Sequence, residues 1–189
     1  RIIIEFTDDS KLFFNDQRKF GYFKLMSKDE VENDSFIKKL GPEPLDTNKF
    51  ITEQFIKRIR KRNNSAVKAA ILDQSVIAGI GNIYADEALF LAKIHPASKV
   101  KDLTDDELAL ILESAIKVMK LSIKLGGSTD KNYIDAKGNR GTYLNFANVF
   151  RREGKPCKNH PDVLIEKIRV AGRGTHICPA EQVIRNNND

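Results

Sequence analysis

Asp73-Gln-Ser-Val-Ile-Ala-Gly-Ile-Gly-Asn-Ile-Tyr-Ala-Asp-Glu-Ala-Leu-Phe90 reads as a polar turn, two glycines and the opening of a helix. The turn spans 73–81, and Asn82 starts a helix that runs through Ala92 and stops before Pro96. Gly79 and Gly81 let the backbone approach a ligand closely. The helix behind them aims unpaired N–H groups outward, and the Asn82 amide adds a side-chain donor. A glycine-rich turn before a helix is by itself only a turn. The spacing is not G-x-G-x-x-G and no parallel sheet surrounds it, which argues against a dinucleotide site. Asp86 and Glu87 read as ordinary partners of the helix dipole.

Upstream, Ile51, Phe55, Ile56 and Ile59 fall on one helical face, and Lys57, Arg58, Arg60, Lys61 and Arg62 cluster at its end. That cluster suits a solvated helix end, and a phosphate-facing patch is the alternative. A short helix covers 66–72. Before residue 51 the chain changes character. Arg1–Phe6 and Lys11–Phe14 read as strands around the polar turn Thr7–Ser10, with a third segment at Phe20–Met26. Residues 27–47 read as loop, and Gly41-Pro42-Glu43-Pro44 is a stiff linker. The chain starts at Arg1 and enters a strand pattern at once, so the expectation is a polypeptide that begins inside a domain.

Downstream, Thr104-Asp-Asp-Glu107 is a capping box that opens the longest helix, ended near Leu125 by Gly126-Gly127. Residues 126–148 are rich in Gly, Ser, Thr and Asn and read as a long surface loop of the functional kind. Then come Cys157-Lys-Asn-His160 and, after seventeen intervening residues, Cys178-Pro-Ala-Glu181. Two such pairs across a β-hairpin are how a small zinc ribbon is built. A hairpin of about 20 residues buries too little to hold itself, so a metal cross-link supplies what the core cannot. Cys157, His160, Cys178 and Glu181 are therefore the expected ligands of one structural zinc. A carboxylate at the fourth position binds less tightly than a thiolate. At the hairpin tip, Gly172-Arg173-Gly174 offers one arginine on an approachable backbone, suited to gripping a phosphate. His95, before Pro96, reads as structural, and His176 as a poorly spaced competitor for the metal.

Of the 189 residues, 31% are charged and the net charge is +6, with a pI near 9.2. This balance suits a polyanionic partner. Only two cysteines occur, both at the candidate metal site, so nothing argues for disulfides or secretion. No apolar stretch approaches the roughly 18 residues of a membrane span, and no signal peptide is visible. The expectation is a monomeric, cytoplasmic protein.

The segment 73–90 closely resembles the helix–two-turns–helix signature of bacterial formamidopyrimidine-DNA glycosylases. Three more segments agree in order and spacing. Phe14-Asn-Asp-Gln-Arg-Lys-Phe-Gly21 is similar to the family's intercalation loop, and Gly126-Gly-Ser-Thr129 to the start of its lesion-capping loop. Val170-Ala-Gly-Arg-Gly-Thr-His-Ile-Cys178 is similar to its zinc-finger hairpin. The resemblance implies an α+β fold. Residues 1–44 would end a β-sandwich, 45–148 form the helix–two-turns–helix domain, and 149–189 form a zinc-ribbon-like hairpin.

It also implies roles. Asn82 would bond the phosphates flanking a damaged nucleotide, Lys68 would contact the same backbone, and Arg173 would grip from the opposite side. Phe20 would wedge into the gap left by the extruded nucleotide. Arg18 would bond the orphaned cytosine, with Lys19 near the backbone. Ser128, Asn132 and Tyr133 would fold over the flipped base. The implied partner is damaged double-stranded DNA, met on the bacterial nucleoid.

The implied activity is removal of oxidised purines, 8-oxoguanine and formamidopyrimidines, through an imine at C1′ followed by β,δ-elimination. That chemistry rests on an N-terminal proline amine, an adjacent glutamate and a first-domain lysine. None has a counterpart here, so this polypeptide alone is expected not to cut DNA. A non-catalytic nucleic-acid module, or an endonuclease VIII-like preference for oxidised pyrimidines, are the alternatives.

Overall fold

The structure is a computed structural model and describes residues 2–16, 19–46, 51–129 and 138–186. Two compact units are present, Arg1–Lys38 and Lys39–Asp189.

In the first unit, β1 (Ile2–Glu5) and β2 (Lys11–Phe14) form an antiparallel hairpin in the register Ile2↔Phe14 to Glu5↔Lys11. Asp9 turns the chain with a φ of 63°, and the Asp8 carboxylate accepts from the Ser10 N–H and hydroxyl. Those two bonds hold the Asp8 carboxyl below the usual range. The third strand expected at Phe20–Met26 is not there, because these residues pair with neither neighbour. Instead the Asp16 carboxylate accepts from the N–H groups of Phe20 (2.8 Å) and Gly21 (2.6 Å), pulling the chain into a loop.

The loop expected at 27–47 also differs. It holds two short helices, α1 (Lys28–Asn33) and α2 (Ser35–Lys39). Ser27 caps α1 in a full capping box with Glu30, and Asp34 accepts from the Phe36 N–H. Neither helix buries a residue, so local capping rather than an apolar face sets them.

The second unit is built on α6 (Asp105–Lys124), which packs against α3 (Ile51–Ile59) and α5 (Asn82–Leu91). The Thr104–Glu107 capping box opens α6 as expected, and Gly126 and Gly127 take positive φ just past its end. Phe55, Ile59, Ile71, Leu89, Leu108 and Ile111 lie fully buried between these helices. Each is worth about 1.5–3 kcal/mol on removal from water.

Three arginines of the basic cluster are held by partners within the fold. Arg58 bonds the Ser75 carbonyl, Arg60 bonds Asp105 and the carbonyls of Val100 and Leu103, and Arg62 bonds Asp73. The chain then passes through the short helix α4 (Val67–Ile71) into the 73–81 turn.

That turn is stitched by its own side chains. Asp73 accepts from Ser75, and Gln74 bonds the carbonyls of Leu72 and Ile80 and the N–H of Gly79. The linker Gly41-Pro42 lies against it, with Gly41 N–H on the Gln74 carbonyl and Ala78 N–H on the Pro42 carbonyl. A side chain at position 41 would collide with the Val76 backbone.

A second, smaller core of Phe90, Val149, Cys157, Ile165 and Cys178 seats the C-terminal hairpin on α5. In this hairpin β3 (Glu166–Val170) and β4 (Arg173–Ile177) pair antiparallel. The fold is thus a mixture of helices and small antiparallel sheets.

Candidate nucleic-acid interface

At the start of α5, Gly81 is the N-cap and supplies no side-chain bond. A Cβ there would meet nothing within 4 Å, and Gly81 is exposed. Gly79, at φ +82°, is where the backbone requires glycine. Asn82 donates its Nδ2 to the Gly174 carbonyl at 3.1 Å. Its Oδ1 is buried and has no hydrogen-bond partner. The helix start and the hairpin tip, 92 residues apart in sequence, are thereby in direct contact. Arg173 is exposed immediately beside that contact.

A buried ionic cluster underlies the tip. Lys68 is 0% exposed. Its Nζ lies 2.5 Å from Asp86 Oδ1 and donates to Thr175 Oγ1 (2.7 Å) and the Gly174 carbonyl (3.1 Å). Burial pushes the Lys68 pKa down, Asp86 opposes that shift, and the Arg173 charge adds to it. The other oxygen of Asp86 takes the His176 backbone N–H and lies 3.0 Å from its Nδ1. His176 Nε2 faces Glu153 at 3.2 Å, so His176 is occupied away from the cysteines.

Glu87, likewise 0% exposed, accepts the backbone N–H groups of Asn148, Val149 and Phe150 and the Asn148 amide. Tyr143 donates to it at 3.5 Å, its phenol pKa raised first by burial and then by Glu87. Asp86 and Glu87 are therefore not dipole partners at a helix end. They anchor the hairpin and the loop before it. The available signal was two acids inside an otherwise apolar helix, since fully buried carboxylates are almost always paired.

Among the other expected residues, Phe20 stands 78% exposed on its loop in the first unit. Lys19 takes a φ of 58° beside it. Ser128 bridges Thr142 and lies 3.5 Å from the Tyr84 hydroxyl. Arg18, Asn132 and Tyr133 lie outside the described residues.

The four expected zinc donors stand as two pairs. The Cys157 and Cys178 thiols are buried and in contact, and burial pushes the Cys178 thiol pKa up. His160 Nε2 lies 3.2 Å from Glu181 Oε1, while Asn159 (2.8 Å) and Lys93 (3.3 Å) also hold Glu181. No group of three His, Cys, Asp or Glu suited to a metal occurs among the described residues. The donor chemistry suits zinc, but the arrangement is not a cage.

Among the described residues, no helix is long and apolar enough to cross a membrane. Residues 40–133 match the family described as "Formamidopyrimidine-DNA glycosylase H2TH domain". The formamidopyrimidine-DNA glycosylase of Pediococcus pentosaceus is 41% identical over 184 residues, covering 97% of this chain and 66% of that protein. That of Ligilactobacillus salivarius is 39% identical, covering 98% and 66%. The chain thus spans slightly under two thirds of these relatives' length. The solved complex of Lactococcus lactis Fpg with DNA containing an abasic site superposes with a TM-score of 0.82 at 39% identity, covering 95% of this chain and 65% of that one. A complex of MutM with DNA containing carbocyclic 8-oxo-G gives 0.81 at 39%, covering 95% and 64%. On the ordered motifs, the docked helix start and hairpin tip, and these likenesses, the chain belongs to the formamidopyrimidine-DNA glycosylase family.

Proposed function

We propose that the face formed by Asn82 and the Arg173 tip grips the backbone of damaged double-stranded DNA. In this reading the whole protein excises oxidised purines and cleaves the abasic strand. The observation that carries it is the 3.1 Å contact between Asn82 and Gly174. It brings the amide at the start of α5 beside an exposed arginine on a separate element. Two phosphates held from different elements let a duplex be kinked and the nucleotide between them extruded, at roughly a few kcal/mol of unstacking.

Phe20 supplies the apolar wedge and Arg18 the contact to the base opposite, with Lys19 on the nearby backbone. Lys68 serves the grip indirectly, by holding the tip's carbonyl. Ser128, Asn132 and Tyr133 are the residues for closing over the extruded base. Solved relatives hold DNA with Fapy-dG or an abasic site, which supports an oxidised purine as the lesion. The division at 44/45 and 148/149 into sandwich end, helical domain and hairpin belongs to the same proposal.

The reading is tested by fluorescence anisotropy with this chain on an intact duplex and one carrying a stable abasic analogue. The abasic duplex is expected to bind more tightly. Asn82→Ala and Arg173→Ala are each expected to weaken that binding by about 1–3 kcal/mol, the scale of charge-assisted hydrogen bonds. Equal affinity for the two duplexes, fading steeply with salt, would point instead to a general basic surface.

The hairpin's seat rests on its own small core, so the phosphate grip calls for no metal step. A structural zinc would draw on Cys157, His160, Cys178 and Glu181, cross-linking the hairpin base. Glu181→Cys replaces a carboxylate already held by three neighbours with a softer ligand. It is expected to tighten zinc binding by about tenfold or more, read by competition with a chromogenic chelator. Unchanged affinity would show that position 181 is not a ligand.

A further inference from the structure

We propose that Glu153 is a built-in competitor of the DNA phosphate, a carboxylate that must give up Lys167 before the backbone can enter the cleft beside Asn82. The inference rests on the DNA-binding role above. The cleft has a volume of about 550 Å³, and Asn82, Glu153, Lys167, Gly174 and His176 are among the residues that line it. Two of these, Asn82 and Gly174, make the contact that joins the helix start to the hairpin tip.

The hairpin register brings Lys167 there. Lys167 pairs with His176 and Arg169 with Gly174, so residues 167, 174 and 176 share one face of the hairpin. Gly174 adds no side chain to that face, and the Lys167 stem runs across the space it leaves. A Cβ at position 174 would sit 3.6 Å from the Lys167 Cε. The stem ends with Nζ 3.4 Å from Glu153 Oε1, while Glu153 Oε2 lies 3.2 Å from His176 Nε2. One oxyanion thus spans two nitrogen groups, as the two free oxygens of a phosphodiester would.

The pair is placed to open. The Lys167 and Glu153 side chains are 53% and 45% exposed, and an ion pair that open to water adds little to stability. The carboxyl is held below the usual range, first by its own backbone N–H and then by Lys167 and His176, against an opposing effect of burial. It is therefore charged wherever DNA is bound near neutral pH. In a chain of net charge +6, this carboxylate works against the phosphate and limits the hold on any duplex, intact DNA included.

Glu153→Gln removes the charge and keeps an acceptor for His176. By fluorescence anisotropy it is expected to bind the intact and abasic duplexes about fivefold more tightly at low salt. The slope of log K against log salt should steepen by about one, as for one added phosphate contact. Glu113→Gln changes the net charge equally but lines a separate cleft with Thr52 and Ile116. It should bind within about twofold of the parent, since a screened charge away from the contact adds little. In a Lys167→Gln background the gain from Glu153→Gln should fall below about twofold, because the lysine is what the carboxylate withholds. All variants are compared at a temperature where their melting curves show them folded. Unchanged or weaker binding by Glu153→Gln, an equal gain in Glu113→Gln, or a gain that survives Lys167→Gln would each overturn the assignment. Such a result beside weakened Asn82→Ala and Arg173→Ala leaves the interface standing. Parental binding in those two variants would remove the interface itself.

Discussion

Asp86→Ala is expected to cost about 3–5 kcal/mol of folding stability, the range for breaking a buried ion pair from one side. The Lys68 ammonium would remain inside the protein with only the Gly174 carbonyl and the Thr175 hydroxyl as partners. The His176 N–H and ring would lose their acceptor at the same stroke. Because burial already pushes the Lys68 pKa down and Asp86 is what opposes it, the variant lysine should shed its proton more readily. The β3–β4 hairpin is held to α5 by this cluster, so amide exchange in β4 should rise before exchange in α6. DNA affinity should fall with it, since Gly174 and Arg173 move together.

The double variant Lys68→Met, Asp86→Leu is the informative companion. Replacing both charges by apolar groups is often neutral for stability. It should recover much of the lost stability in urea melts, yet not the affinity, because the Gly174 carbonyl still lacks its lysine. A loss below about 1 kcal/mol for Asp86→Ala would show that the pair does not hold the hairpin.

What could be read from the chain beforehand follows the range of the forces involved. The cap of α6 at Thr104, its stop at Gly126 and the start of α5 at Asn82 are set by neighbours three or four residues away, so composition and spacing reveal them. The pairing of β3 with β4 is likewise local. The fate of Lys68 is not, because its partners Gly174 and Thr175 are 106 and 107 residues distant. A lysine in a short helix carries no mark that says buried.

The same limit hid the structural use of Arg58, Arg60 and Arg62, whose acceptors are carbonyls and carboxylates brought close by the fold. At 20–26 the aromatic residues suggested a strand. Pairing needs a partner edge, and Asp16 had already claimed two of the N–H groups. At 28–39 the sequence is too short and too polar for an apolar period, although Ser27 and Glu30 did spell a capping box. The residues of the proposed grip stand out in the sequence more readily than the frame behind them, because a glycine, an asparagine and an arginine at turns are exposed by type.

The frame is where the second large effect is expected. Glu87→Ala should destabilise the protein by about 3–5 kcal/mol and loosen the proposed DNA-binding face from a residue that is itself fully buried. Its two oxygens serve three consecutive backbone N–H groups and the Asn148 amide, at 2.8–3.0 Å. Without the carboxylate, Val149 and Phe150 keep buried N–H groups with nothing to receive them. Each such group costs about 1–3 kcal/mol, and partial relaxation keeps the sum below the arithmetic total. Tyr143, whose phenol is held protonated by burial, would lose its acceptor as well.

Since Glu87 sets residues 148–150, it also sets one wall of the cleft beside Asn82, which Phe150 lines. Affinity for the abasic duplex should therefore fall even at temperatures where the variant remains folded. Glu87→Gln keeps one acceptor oxygen and should show an intermediate loss of both stability and affinity. If Glu87→Ala lost stability but bound DNA like the parent, the 148–151 turn would be a structural brace alone.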